Sequence, residues 1–319
     1  VSGFTTQTID HLTRGQLWSN ELKEVLEDEL MGMRYVRMIG DFPDGDILNI
    51  PSIGQMEATD YAEDQAVQYT AIDTGNFQFQ ITEYKQAGTY VTNQMKQDSY
   101  KMAQVEAKFV PMMNRAIMKH VETDVLSVGP TNQTPNDPNT INGGRHRFVA
   151  GGTNGIIVPQ DFAKVSYSLK KANVPLTNMV AIVDPSVEYH LATMTNLVNV
   201  SNNPRWEGIV RDGISTGMQF KFNIYGWDVY TSQNLHVNTG SETISGDAIG
   251  AGAVNNLFFC AVPDLLPFIG SIRQPVKVDS KYNMDRQRDE YVTTMRYGLD
   301  LYRPENLVTV LSATDQVYA

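Results

Sequence analysis

Residues Gly213-Ile214-Ser215-Thr216-Gly217 match G-x-S-x-G, the pattern that can hold a serine nucleophile on a sharp strand-to-helix turn. Acyl transfer by such a serine needs a base and an orienting acid, usually carried on separate strand ends. His236 is the only histidine after Ser215, and Asp228 is the only acid between them. That is too short a stretch for the usual distribution. The preceding segment, NPRWEGIVRD, also lacks the apolar run of a buried strand. A serine hydrolase using Ser215 is therefore the weak alternative, and a chance match in a Gly/Ser loop is the better reading.

The remaining chemistry is sparse. His11, His120, His146, His190 and His236 are scattered, with no pair at metal-ligand spacing and no HExxH or cysteine cluster. Cys260, the single cysteine, sits in the apolar run LFFCAV and reads as a small core residue. There is no P-loop and no G-x-G-x-x-G. Glu57, Asp60, Glu63 and Asp64 cluster in a polar stretch that implies no cleft, which argues against general acid–base work. Trp206, Trp227 and Tyr230 read as core, because little basic charge flanks them. No catalytic residue, metal or cofactor is expected, and the chain does not read as an enzyme.

The elements that would have to position such groups tell more. Residues 41–91 read as two β arms, DGDILNIPSIGQ and NFQFQITEYKQ, around a polar, acidic middle. In the second arm Phe77, Phe79 and Ile81 alternate with polar residues in period two. A two-stranded ribbon cannot cover its own apolar face, so another molecule is the expected cover. A helix over 93–128 follows, with a stripe of Met102, Val105, Phe109, Met112, Ala116, Ile117, Val121 and Val125. At 1.5 Å per residue it spans roughly 50 Å, a rod rather than a core element. Pro111 is expected to kink or divide it. Upstream, residues 16–31 predict a helix with an acidic outer face and Gly32 as its stop.

Residues 129–155 read as a Gly/Asn/Pro-rich loop whose one basic spot is Arg145, His146 and Arg147, taken as surface charge or an intersubunit contact. Then come a helix over 159–173, the buried strand MVAIV, and a helix opened by Asp184 and Pro185. FNIYGWDVYTSQNL has strand-like alternation, 238–253 reads as a loop, and LFFCAV as a buried strand. RQPVKVDS, EYVTTMRYGLDLYRP and NLVTVLSA are the last strand candidates. Of 319 residues, 41% are apolar, enough for a real core. The net charge of -11, from 36 acidic and 25 basic residues, argues against strong nucleic-acid binding. No apolar stretch approaches the ~18 residues of a membrane span, and the polar start VSGFTTQTID does not read as a secretory leader.

The order of these parts resembles that of tailed-phage major capsid proteins of the Hong Kong 97 type. SYSLKKANVPLTNMVAIVDPSVEYHLATM is similar to that family's helix, Asn-Val-Pro turn, strand and helix entry. FNIYGWDVYTSQNL and MRYGLDLYRPENLVTVLS resemble its recurrent strand and its last strand pair. The similarity implies an α+β Hong Kong 97-like capsid fold. Its units would be an N-terminal arm and helix over 1–40 and an extended loop over 41–91. A peripheral domain over 92–178 would carry a spine helix and be completed by 276–303. An axial domain over 180–275 would be completed by 304–319. It implies an icosahedral shell of many copies, in hexamers and pentamers, around the double-stranded DNA genome of a tailed bacteriophage, with no specific DNA binding and no membrane. Scaffold, portal and decoration or cement proteins are the implied partners, and the location is the virion capsid, assembled in host cytoplasm. An encapsulin-like compartment shell is the alternative of the same fold. Candidate intersubunit contacts are Ile53, Met56, Tyr61, Val67, Tyr69, Arg145 and Arg147. Some members join neighbours by a Lys–Asn bond from the extended loop. Here no Lys occurs between Met38 and Tyr84, and Lys85 stands at the loop's base, so covalent joining is not expected.

Overall fold

MVAIV at Met179–Val183 (β8) is apolar at every position because both of its faces are covered. Met179, Ala181 and Val183 point into one core and Val180 and Ile182 into another. The same split runs through β13 (Val254–Cys260), where Phe258 and Cys260 face one way and Leu257 and Phe259 the other. These strands lie in the middle of a six-stranded sheet. The computed structural model describes residues 30–40, 47–53, 60, 63, 74–98, 102–193 and 220–314. The helix expected over 16–31 falls, up to residue 29, outside them, as do Trp206 and the segment around Ser215.

The sheet's order is β7-β16-β13-β8-β10-β9, with β7 Arg147–Val149, β9 Phe220–Ile224, β10 Trp227–Thr231 and β16 Leu307–Ser312. The hairpin of β9 and β10 turns at Tyr225 and Gly226, both with positive φ (50° and 85°). That pair is the primed turn whose twist matches the flanking strands. One face carries α3 (Pro159–Lys171), which buries Phe162, Val165 and Leu169 as its spacing predicts. Asp161, fully buried, accepts from the backbone N–H of Val158 (3.1 Å) and Gly151 (3.0 Å), closing the helix start. Asp184 caps α4 (Pro185–Thr193) by accepting from the Ser186 N–H at 2.9 Å. Trp227 is fully buried on this side, its indole N–H donating to Ser166 Oγ at 3.1 Å.

The other face meets a second unit. Here the sheet order is β1-β14-β15-β4, from Val36–Met38 (β1), Phe268–Asn283 (β14), Arg288–Leu301 (β15) and Glu83–Thr92 (β4). Between the two sheets lies the second half of α2 (Met102–Thr131), preceded by α1 (Asn93–Asp98). Ile117, Val121, Val125 and Leu126 pack with Met295, Tyr297 and Phe268 on one side and with Val180, Ile182 and Phe259 on the other. The rod reading is therefore corrected, since half of this helix is core. Its stripe is also shifted. Met113 is buried, whereas Met112 is 60% exposed and Ala116 is exposed, because the inward positions follow Met113, Ile117 and Val121 at four-residue steps. Pro111 does not divide the helix, which runs through it.

Two loop readings are likewise corrected. Residues 238–253 form a small hairpin, β11 (Glu242–Ile244) and β12 (Asp247–Ile249), turning on Ser245 and Gly246. Ile244 and Ile249 pack against Val149 and Leu311, so an apolar pair hidden among Gly and Ser anchors it. The 129–155 segment contains β5 (Thr140–Ile141) and β6 (Gly144–Arg145) and supplies β7 to the six-stranded sheet, parallel to β16. Its turns place Asn136, Asn139, Asn142 and Asn154 at positive φ, the conformation that asparagine tolerates best after glycine.

Candidate assembly surfaces

The two β arms pair over β2 (Ile47–Ile53) and β3 (Thr74–Gln80), while the second arm from Glu83 onward passes into β4 of the body sheet. Strand β2 runs antiparallel to β3, from Ile47↔Gln80 to Ile53↔Thr74. The period-two alternation is present, with Phe79 and Ile81 buried, Phe77, Leu48 and Ile50 half-buried, and Gln78 and Asn49 exposed. What covers that face at its root is this same chain. Phe79 and Ile81 pack on Ile269, with Ile39 and Tyr302 beside them, and Phe77 meets Tyr302 edge-on at 5.2 Å. The expectation that only another molecule covers the ribbon is corrected there. A ribbon alone cannot bury its apolar side, but here it leaves from a sheet edge that can. Ile53 ends β2, and Met56, Tyr61, Val67 and Tyr69 lie outside the described residues.

At the ribbon's base, Lys85 is spent within the chain. Its ammonium lies 2.8 Å from Glu83 and 3.5 Å from Asp124 of α2. Burial works to lower its pKa, but the hydrogen bond to Glu83 and the charge of Asp124 outweigh that and raise it. The same hydrogen bond holds Glu83 below the usual carboxylate range. Asp124 also accepts from the Tyr297 hydroxyl, and burial with that bond pushes the phenol well up. Loop base, helix and β15 are thus tied by one charged cluster.

At the far end of the β14–β15 hairpin, β15 stays paired with β4 while β14 is the exposed strand. Past Pro275, β14 is mostly exposed, and Met284 at the turn is 80% exposed. This end is fastened to the start of α1. Lys96 pairs with Asp289 (2.5 Å), the Asn93 amide donates to Tyr282 Oη (2.8 Å), and Arg288 stacks 4.4 Å over Tyr90.

The basic spot at 145–147 divides. Arg145 is exposed. His146 and Arg147 are not surface charge, being 0% and 2% exposed, because β7 is drawn into the sheet. The Arg147 fork meets Glu242 of β11 at 2.7 and 2.9 Å and also donates to the Thr134 carbonyl (3.2 Å). Asn238 donates to the same carboxylate at 2.8 Å. The sequence reading missed Glu242, Asn238 and two buried amides that bind backbone. Asn306 bridges Cys260 N–H and carbonyl, both at 2.9 Å, and Asn256 donates to the Val310 carbonyl at 3.0 Å. Asparagine inside the apolar run VNNLFFC was the available signal.

Of the triad alternative, Ser215 lies outside the described residues. Asp228 accepts from Asn223 at 2.7 Å, and His236, its pKa lowered first by burial and then by Arg147, belongs to the Arg147–Glu242 surroundings. Among the described residues no group of His, Cys, Asp and Glu could hold a metal ion, and no helix is long and apolar enough to cross a membrane.

No protein-family model matches the sequence, and no curated protein does. Solved structures do. A chain from Mycobacterium phage Che8 is 17% identical with a TM-score of 0.69, over 94% of this chain and 97% of that one. The capsid structure of cyanophage P-SCSP1u is 13% identical at TM-score 0.68, over 98% and 96%. The capsid of the native GTA particle is 9% identical at TM-score 0.63, over 98% and 100%. Identities this low speak for shape rather than for shared residues, and the matches cover 94–98% of this chain. The chain shares the α+β fold of these solved chains, two of which are described as capsids.

Proposed function

We propose that this chain is a structural, non-catalytic major capsid protein that builds the icosahedral shell around the double-stranded DNA of a tailed bacteriophage. The observation that carries this reading is the likeness in fold, over almost the whole chain, to solved capsid chains. The layout agrees with it. A ribbon leaves the body and the outer part of β14 is exposed, and such surfaces add contact area between copies without enlarging the core. Each contact needs only moderate strength, because a closed shell holds every copy among several neighbours.

In this reading 1–40 is the N-terminal arm and 41–91 the extended loop, rooted on its own body through Phe79, Ile81 and β4, with its outer part lying over a neighbour. Residues 92–178 with 276–303 form the peripheral domain around the spine helix α2. Residues 180–275 with 304–319 form the axial domain at five- and six-fold vertices. Strand β7 and helix α3, packed on the six-stranded sheet, are where the first domain joins the second. Ile53, Met56, Tyr61, Val67, Tyr69 and Arg145 are the intersubunit contacts. Scaffold, portal and decoration proteins are the partners, in the virion and, before that, the host cytoplasm. Negative-stain microscopy of the expressed chain, with its scaffold if one is required, tests the proposal. Closed icosahedral shells are expected, and a monomer under every assembly condition would overturn it.

A further inference from the structure

The ribbon leaves the body over one glycine. Gly298 lies in β15 opposite Ser271, and a Cβ there would stand 2.7 Å from the Gln80 carbonyl oxygen, 3.0 Å from Ile81 Cα and 3.1 Å from the Phe79 ring. Its φ is outside the left-handed region, so backbone conformation does not call for glycine. The requirement comes from the ribbon root, whose main chain rests directly on the sheet. A flexible side chain could move aside, but the Gln80 carbonyl and Ile81 Cα cannot move without the strand.

A second observation concerns the space beside the root, walled in part by Leu299 and Asp300, the residues after Gly298. A polar cleft of about 380 Å³ opens there between ribbon residues Ile47, Gln78 and Gln80 and the end of α2 at Val128, Thr131 and Asn132. The ribbon therefore has room to tilt. What holds it is the contact over Gly298 together with Phe79 and Ile81 on Ile269 and Phe77 against Tyr302.

We infer that Gly298 is a positioning residue that sets the ribbon's angle of departure, and with it the geometry by which one copy reaches a second copy of this chain. The inference rests on the reading of the ribbon as the intersubunit arm. A sub-ångström lift at the root, multiplied along the ribbon, carries the tip away from a site on a neighbour. Gly298→Ala adds one methyl group and no charge, so it perturbs little else.

The test uses spin labels at Ser52→Cys on the ribbon and Lys170→Cys on α3, with Cys260 buried and inert, in otherwise unaltered chain and in Gly298→Ala. The expected result is one narrow distance distribution that shifts and broadens in the variant. Unlabelled Gly298→Ala is expected to keep its far-UV spectrum and lose closed shells. Should it fail to fold, Phe77→Ala, which removes the half-exposed clamp on Tyr302, takes the same two measurements. An unchanged distance, or shells formed as well as by the unaltered chain, overturns the inference. Failure of the unaltered chain to form shells overturns the proposed function instead.

Discussion

Arg147 shows how a residue's meaning depends on what lies far along the chain. Its partner Glu242 is 95 residues away, and both are largely buried. Removing one member strands a charge in a poorly hydrated site, at a cost of ~3–5 kcal/mol. Arg147→Met should therefore lower the urea midpoint strongly. Arg147→Met/Glu242→Leu should recover much of that loss, since an apolar pair of similar size needs no counter-charge. Burial also lowers the pKa of His146, His190 and His236, the last with help from Arg147. The folded chain thus binds fewer protons than the unfolded one, whose histidines titrate near ~6.5. Stability from these groups is full above that pH and is lost as pH falls through the lowered folded values. The melting temperature should drop between pH 7.5 and 5.5, and His146→Gln should flatten the drop. An equal drop in that variant would show that His146 contributes nothing to it.

At the scale of elements, the ribbon has a rooted half and an outer half. Phe79 is fully buried on the chain's own body, so Phe79→Ala should destabilise the single chain by ~3–5 kcal/mol. In sequence, residues 54–72 fall after the end of β2 and before the start of β3. Deleting them should leave a folded chain with an unchanged melting temperature that no longer forms closed shells. Normal particles from the deletion would remove the arm from the assembly mechanism. Shortening the connection costs little in closure entropy, which varies only slowly with loop length.

For the whole molecule, the question is what holds copies together. Lys85, at the ribbon's base, is engaged with Glu83 and Asp124 and held in its charged form, which is not a nucleophile. No other lysine lies between residues 39 and 84. Particles boiled in SDS should therefore run as a monomer of 35.6 kDa. A ladder that survives reduction would show that copies are covalently joined after all.

Local pattern determined much of this. Alternation in NFQFQ marked a strand, unbroken apolar runs marked β8 and β13, and Asp184-Pro185 marked a helix start, because each signal depends only on neighbours in the chain. The order of those parts was enough to indicate the fold class. What local pattern could not decide was which surface each element would meet. Helix α2 looked like a rod and is half core, because two sheets assembled from strands before and after it close over it. The ribbon's apolar side looked orphaned and is covered at its root, because Ile269 and Tyr302 arrive there from far along the chain. Arg147 looked exposed in a loop and is buried, because β16 takes that loop as a strand. Burial is a property of packed surfaces, and only the tertiary structure sets which surfaces are packed.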